Sequence, residues 1–160
     1  MSQVVEAEAF MSRAIELSRI HMDAGDGGPF GAVVVKDGRV LGEGWNRVTS
    51  THDPTAHAEV VAIREACRTL GTFDLHGAEI YTSCEPCPMC LAAIYWARLE
   101  RIFYANGRED AAAIHFDDAW LYHEVALAPE ERAIPSIRLL PEEARAVFEA
   151  WERKPDKIRY

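Results

Sequence analysis

The sequence has no long apolar run, and none of its stretches approaches the roughly 20 apolar residues that a helix needs to cross a bilayer. Charged side chains recur at helical intervals through the first 20 residues, which argues against a signal peptide. We therefore expect a cytoplasmic protein with no membrane partner. At 160 residues, of which 49% are apolar and 27% charged, the chain is long enough to bury a core, and we expect residues 1–160 to form a single domain.

Clustered positive charge is also missing. The chain has 17 Lys and Arg against 26 Asp and Glu, for a net charge of −9, and acidic residues dilute the basic residues near the C-terminus. A protein that grips a nucleic acid neutralises many phosphates, so it is expected to show a basic stripe. The composition therefore disfavours nucleic acid as a partner and favours a small neutral substrate.

Cysteine is scarce, and three of the four cysteines fall within the seven residues from Cys84 to Cys90. This spacing is unlike the disulfide framework of a small secreted protein and favours metal binding. Cys87 and Cys90 stand in the segment Pro-Cys-Pro-Met-Cys, about 30 residues after His57. One imidazole and two thiolates can hold Zn²⁺ at three corners of a tetrahedron and leave the fourth corner for water.

Hydrophobic periodicity predicts strands that alternate with helices, hence an α/β fold with a parallel crossover across 75–105. Before residue 106 we expect a helix over 5–22, a hairpin of strands 32–35 and 40–45 turning at Asp37-Gly38, a polar loop over 46–54, a helix from an N-cap at Thr55 to Gly71, a strand over 79–83, a helix from an N-cap at Cys87 to about Leu99, and a strand over 101–105. After residue 106 we expect helical turns at 110–113 and 120–124, an edge strand over 134–139 and a helix over 141–151.

Both candidate metal-binding blocks are predicted in the first turn of a helix, where unpaired N–H groups and the helix dipole favour a thiolate. Zinc lowers the pKa of a bound water from about 15.7 to about 7. Glu59, two residues after His57, stands where a proton carrier for that water is needed. The combination indicates a hydrolytic site that adds hydroxide to an amidine carbon and releases ammonia.

Each block also has a plainer interpretation. A His-x-Glu sequence is common on a solvated helix surface, and a Cys-x-x-Cys sequence can be a redox pair or part of a core. The main alternative is a closed structural zinc site with Cys84 as the fourth ligand, although such a site has no use for Glu59. We expect Cys67 only to pack, on a buried helical stripe with three neighbours, Val60, Ile63 and Leu70.

The pattern His-x-Glu followed by Pro-Cys-x-x-Cys is typical of zinc-dependent nucleobase deaminases, and the chain resembles the cytidine deaminase-like superfamily over nearly its whole length. Four segments carry this resemblance: 27–33, 53–59, 83–90 and 93–98. The first three occur in looser form in tRNA adenosine deaminases. Within the superfamily the chain is most similar to the small bacterial guanine deaminases, on Phe116-Asp117-Asp118 followed by Tyr122, on 130–135 and on 157–160.

The resemblance implies a three-layer α/β/α sandwich with a mixed five-stranded sheet, and deamination of guanine to xanthine in purine catabolism. It also implies a homodimer in which the segment from about 120 to 160 is exchanged between subunits. The implied residue roles are zinc binding by His57, Cys87 and Cys90, proton transfer by Glu59, hydrogen bonding of the purine by Asn46 and the Ala58 N–H, contact of Asp118 with the polar edge of guanine and assistance in proton transfer, packing of Phe30 near the ring, and a contribution of Tyr160 from the partner subunit.

Other functions stay open at this point. The chain departs from the guanine deaminase pattern at 113–115, just before Phe116, which bears on the shape of the pocket. The alternatives are deamination of a related compound (guanosine, ammeline, adenine or cytosine), adenosine editing in tRNA, and a non-catalytic zinc-binding module. Structural zinc alone supplies about 10–16 kcal/mol of apparent folding free energy in small peptides, so metal content by itself does not prove catalysis.

Overall fold

The structure of the protein is a computed structural model that describes residues 3–116 and 118–160, apart from the side chains of residues 3–5. The elements are α1 (Gln3–Asp23), β1 (Gly31–Lys36), β2 (Arg39–Trp45), α2 (Val48–Thr51), α3 (Ala58–Leu70), β3 (Glu79–Cys84), α4 (Pro88–Trp96), β4 (Arg101–Asn106), α5 (Arg108–Ala113), α6 (Ala119–Ala126), a 3₁₀ turn (Pro129–Glu131) and α7 (Pro141–Arg153). The chain divides into two compact units, the first ending at Tyr122 and the second running from His123 to Tyr160. Among the described helices, none has the length and apolar character that spanning a membrane requires.

The sheet is mixed, with the strand order β2-β1-β3-β4. β1 and β2 form the predicted antiparallel hairpin, and its two turn residues, Asp37 and Gly38, have φ values of 50° and 70°. Two successive positive φ values are typical of the type I′ turn, whose twist matches that of the strands. β3 pairs antiparallel with β1, and β4 pairs parallel with β3 through the predicted α4 crossover.

Helices cover both faces of the sheet, as the alternation of side chains along β1 requires. Val33 and Val35 pack with α1 residues on one face, while Ala32 and Val34 pack with α3 and α4 residues on the other. Both sets are buried because successive side chains of a strand point to opposite faces. This arrangement confirms the three-layer α/β/α sandwich.

Helix α3 buries Ile63 and packs Cys67 against the core as predicted, but the rest of its buried stripe differs from the one expected. Its buried residues include Ala58, Ala62 and Ala66, whereas Leu70 at the end of the expected stripe is 42% exposed. The reason lies in β2, where a Cβ atom added at Gly44 would stand 2.2 Å from the Ala58 carbonyl oxygen. Backbone approaches backbone here, so the small residues of α3 face the sheet and its larger residues are displaced sideways.

The start of α3 also differs from the prediction, because Thr55 is not its N-cap. The Thr55 N–H and hydroxyl donate to Asp53 Oδ1 at 2.8 and 2.6 Å, which engages the threonine in a local turn. His57 is the N-cap instead, with an extended backbone, and Gly71 ends the helix in the predicted left-handed conformation. The segment 46–54, expected to be a loop throughout, contains the single helical turn α2.

The expected fifth strand at 134–139 is wrong: that segment is irregular, and the sheet of the described residues has four strands. Pro135 has no N–H to donate to a strand neighbour. Ile134, Ile137 and Leu139 are 73%, 80% and 77% exposed, so no burial favours an extended pairing there. The final helix, α7, starts at the predicted Pro141 and ends at Arg153, two residues beyond the predicted Trp151.

The close contact between β2 and α3 predicts that a larger residue at Gly44 destabilises the protein. We expect Gly44→Ala to destabilise the protein by about 1–3 kcal/mol, because the added methyl group meets backbone atoms that cannot rotate away. The matched control is Gly107→Ala, where φ is −87° and the nearest atom to an added Cβ is 3.9 Å away. Urea unfolding of both variants measures the difference, and equal midpoints would contradict the close approach.

Candidate active site

Two helix starts bring the three candidate metal ligands together. His57 is the N-cap of α3, Cys87 is the N-cap of α4, and Cys90 lies in the first turn of α4. His57 Nδ1 lies 3.6 Å from Cys87 Sγ and 3.5 Å from Cys90 Sγ. One ligand atom from each residue lies within 4.8 Å of the other two, a spacing that a single ion can bridge.

Cys84 does not join this cluster among the described residues. It ends β3 and is 7% exposed, and its sulfur faces the Gly107 carbonyl oxygen at 3.9 Å. Burial raises the pKa of the Cys84 thiol to about 11. The geometry therefore offers three protein ligands and does not support the closed four-ligand alternative.

The two ligand cysteines affect each other's proton affinity. Contact with Cys90, and then with His57, lowers the pKa of Cys87 to about 4. The same contact and burial raise the pKa of Cys90, and the Cys87 contact also raises the pKa of His57. A coordinating thiol is deprotonated outright, so binding of a divalent cation would release the thiol proton of Cys90. Two thiolates and one imidazole are a donor set that fits Zn²⁺.

Glu59 lies in the first turn of α3 and is only 6% exposed. Burial is the main reason that its pKa is raised, because a carboxylate loses its hydration there. The backbone N–H of Glu59 opposes this shift, and the Cys90 contact opposes it to a smaller degree. A raised pKa makes a carboxyl group a better proton acceptor, which suits a proton carrier.

These residues line a pocket of about 240 Å³ in the first unit. The pocket wall includes six of the predicted site residues: Phe30, Asn46, His57, Glu59, Cys87 and Asp118. Ala58 is fully buried between His57 and Glu59, and its N–H contact with a base stays a prediction. Tyr160 lies in the second unit and is 71% exposed, so its role also stays a prediction, and Asp117 lies outside the described residues.

Asn46 is held in one orientation by the loops around it. Its Oδ1 accepts the N–H groups of Gly28 and Val48, both at 3.2 Å. A Cβ atom at Gly27 would stand 2.3 Å from the Asn46 carbonyl oxygen, so this approach needs glycine. With Oδ1 engaged twice, the Nδ2 amide is the group left to donate a hydrogen bond into the pocket.

Sequence reasoning gave no role to several residues of the pocket wall. Phe116 contacts Phe30 edge to face, with ring centroids 5.0 Å apart. Val48 and Thr49 line the pocket from α2, which was hidden inside a segment expected to be an irregular loop. Glu85 lines it from the residue after β3. The position of Phe116 next to Asp118 was the available signal, since both follow the same short helix.

A family model described as the cytidine and deoxycytidylate deaminase zinc-binding region matches residues 4–106. The chain is 51% identical over 153 residues to a guanine deaminase of Bacillus subtilis (strain 168), covering 96% of this chain and 98% of that protein. It is also 51% identical to a tRNA-specific adenosine deaminase of Agrobacterium fabrum, but over 76 residues that cover 48% of this chain.

Two solved structures differ mainly in TM-score and identity. The X-ray structure of guanine deaminase from Bacillus subtilis is similar over 100% of this chain and 99% of that chain, with a TM-score of 0.94 and 49% identity. A structure from a study of tRNA:A34 deaminases covers 81% of this chain with a TM-score of 0.62 and 36% identity. The guanine deaminase likeness therefore extends past β4, through both compact units.

The cluster predicts which cysteines control metal content. We expect Cys90→Ala to weaken zinc binding by more than about 100-fold, since even the outer partners of zinc ligands contribute about 10–100-fold. Cys84→Ala is the matched control and should keep wild-type affinity, because its sulfur faces Gly107. Competition with a zinc indicator measures both affinities, with circular dichroism to confirm folding. Equal losses in the two variants would favour the closed four-ligand site.

Proposed function

The chain belongs to the cytidine and deoxycytidylate deaminase zinc-binding family, and on that premise we propose that it hydrolyses guanine to xanthine and ammonia. The observation that carries the choice of guanine is the likeness to guanine deaminases beyond β4, where Phe116 and Asp118 stand. The likeness in sequence to tRNA deaminases covers between 48% and 71% of the chain. A net charge of −9 also disfavours a large nucleic acid as substrate.

In the proposed mechanism, His57, Cys87 and Cys90 hold zinc, which when bound supplies a water of lowered pKa. Glu59 takes a proton from the attacking water. At the same time the water oxygen bonds to the carbon that carries the amino group of guanine. Glu59 then delivers that proton to the adjacent ring nitrogen. Glu59 next moves the proton of the newly added hydroxyl to the amino nitrogen. The carbonyl forms as the carbon–nitrogen bond breaks, so ammonia leaves and xanthine remains.

Selection of the base is assigned to side chains of fixed polarity. The Nδ2 of Asn46 donates to an acceptor of the purine, and Asp118 meets the polar edge near the 2-amino group and assists proton transfer. The aromatic rings of Phe30 and Phe116 supply the apolar wall. Pockets for drug-sized ligands hold about 300–1,000 Å³, and a pocket of about 240 Å³ favours a free base over a nucleoside.

We propose that the protein acts as a homodimer in which the second unit, within the segment from about 120 to 160 and ending at Tyr160, closes the site of the partner subunit. Within the second unit, several large apolar side chains are more than half exposed: Ile134, Ile137, Leu139, Val147 and Phe148. Exposure of this many large apolar side chains favours a contact with another chain. This part of the proposal rests on the resemblance and on that exposure.

The first test removes the proton carrier. We expect Glu59→Gln to lose about 10²–10⁴-fold of the rate of ammonia release from guanine while keeping zinc, because the amide cannot accept the proton of the water. Glu65→Gln is the matched control: it lies on the same helix, is partly exposed and pairs with Arg68. Full activity of zinc-loaded Glu59→Gln, or no xanthine from the wild type, would overturn the proposal.

The second test separates two jobs of Asn46. Asn46→Asp keeps an oxygen that can accept the Gly28 and Val48 N–H groups but loses the Nδ2 donor, so we expect a raised KM for guanine with the unfolding midpoint kept. Asn46→Ala should also lower the unfolding midpoint. It leaves the N–H groups of Gly28 and Val48 without their acceptor, which costs about 1–3 kcal/mol of unfolding free energy.

Guanosine assayed beside guanine tests the free-base assignment. We expect the wild type to release ammonia from guanine and much less from guanosine, because the small pocket has little room for a ribose. Equal rates on the two compounds would favour the alternative of a nucleoside deaminase.

A further inference from the structure

Three side chains join the segment after β4 to the loop that precedes Cys87. We call Arg108, Glu85 and Tyr122 the Arg108 clamp. Arg108 Nε and Nη2 each lie 2.8 Å from Glu85 Oε1, and the guanidinium carbon lies 3.8 Å from the centroid of the Tyr122 ring. The Tyr122 hydroxyl donates to the Pro86 carbonyl oxygen at 2.8 Å. The clamp therefore touches the chain one and two residues before a candidate zinc ligand.

The segment between Arg108 and Tyr122 contributes Ala111, Phe116 and Asp118 to the wall of the pocket. His115 has a φ of 70°, and the Phe116 N–H donates back to the Ala111 carbonyl oxygen at 2.9 Å. Asp118 directly precedes α6, and its carbonyl oxygen accepts the Tyr122 N–H at 3.0 Å. Tyr122 thus lies one helical turn after Asp118, and anchoring Tyr122 fixes the start of α6.

We infer that Arg108 is a positioning residue for the proposed reaction, which through Glu85 and Tyr122 holds Phe116 and Asp118 over the pocket. The inference rests on the proposed function for the identity of the substrate. Arg108 itself does not line the pocket, so it acts through the residues it holds.

The chemistry of the clamp requires a guanidinium group. Its edge bonds to the Glu85 carboxylate while its face lies over the Tyr122 ring, and a planar cation can do both at once. A lysine ammonium offers a point charge with no face to stack. Arg108 also offsets charge, because Glu85 is one of three carboxylates, with Glu59 and Asp118, that line the pocket.

Amide hydrogen exchange tests the clamp without any substrate. In Arg108→Met we expect peptides from 109–122 to exchange about three- to tenfold faster, the scale of one surface ion pair plus one cation–π contact. The matched control is Arg101→Met, which removes an ion pair with Glu79 at 3.0 Å and a contact over Phe103 at 5.8 Å, away from the pocket. Unchanged exchange of 109–122 in Arg108→Met would overturn the inference.

Steady-state kinetics with guanine tests the consequence for the site. We expect Arg108→Met to raise KM about three- to tenfold with kcat changed less and zinc content unchanged. Arg108→Lys should behave like Arg108→Met, and Arg101→Met like the wild type. In an Asp118→Asn background, Arg108→Met should raise KM little further, since both changes affect the same wall of the pocket.

Each outcome decides the inference. Faster exchange with a wild-type KM would overturn it, because the segment would then not matter to the substrate. Recovery of KM in Arg108→Lys, or an equal effect of Arg108→Met with and without Asp118→Asn, would overturn it in favour of a charge effect or a general loss of stability. If the wild type releases no ammonia from guanine, the proposed function fails, and the exchange measurement still judges the clamp.

Discussion

The site depends on one constraint, which is that the N-termini of α3 and α4 lie close together. Both α3 and α4 pack on one face of the sheet, and an extended residue precedes each of them. The extended residues are His57 and Cys87, so the turn into each helix is also the point where a candidate ligand projects. The seam of small residues between β2 and α3 keeps one of these starts close to the sheet, and the β3–α4 connection supplies the other.

Burial gives the candidate site its reactivity. Removing a carboxyl or thiol group from water raises its pKa, and burial is the main cause of the raised pKa of Glu59 and of Cys84. Such groups cost stability unless they are paired. Among the described residues, no fully buried side-chain nitrogen or oxygen lacks a hydrogen-bond partner. The fold therefore carries its polar interior without orphaned groups, and the reactive groups remain concentrated around one pocket.

Local chemistry in the sequence was enough to predict much of this. The Asp37-Gly38 turn follows from a local turn rule, the parallel crossover from the alternation of elements, and the gathering of His57, Cys87 and Cys90 from the spacing of two sequence blocks. Some failures come from contacts distant in sequence, and others from local hydrogen bonds that compete with the expected element. Glycine in β2 determines which face of α3 is buried, and a side chain at 53 takes Thr55 away from the helix start. Pro135 and the exposure around it removed an expected strand, and only the folded chain brings Phe116 against Phe30.

The two N–H groups that grip Asn46 Oδ1 have a consequence for discrimination among heterocycles. A carboxamide free to rotate by 180° could present either its oxygen or its NH₂ group to a ligand. It would then bind a donor or an acceptor equally well. This carboxamide cannot rotate without abandoning two backbone amides, so it reads one polarity. Isosteric rings with the donor and acceptor interchanged would be turned away at this position by electrostatics alone, with no steric clash required.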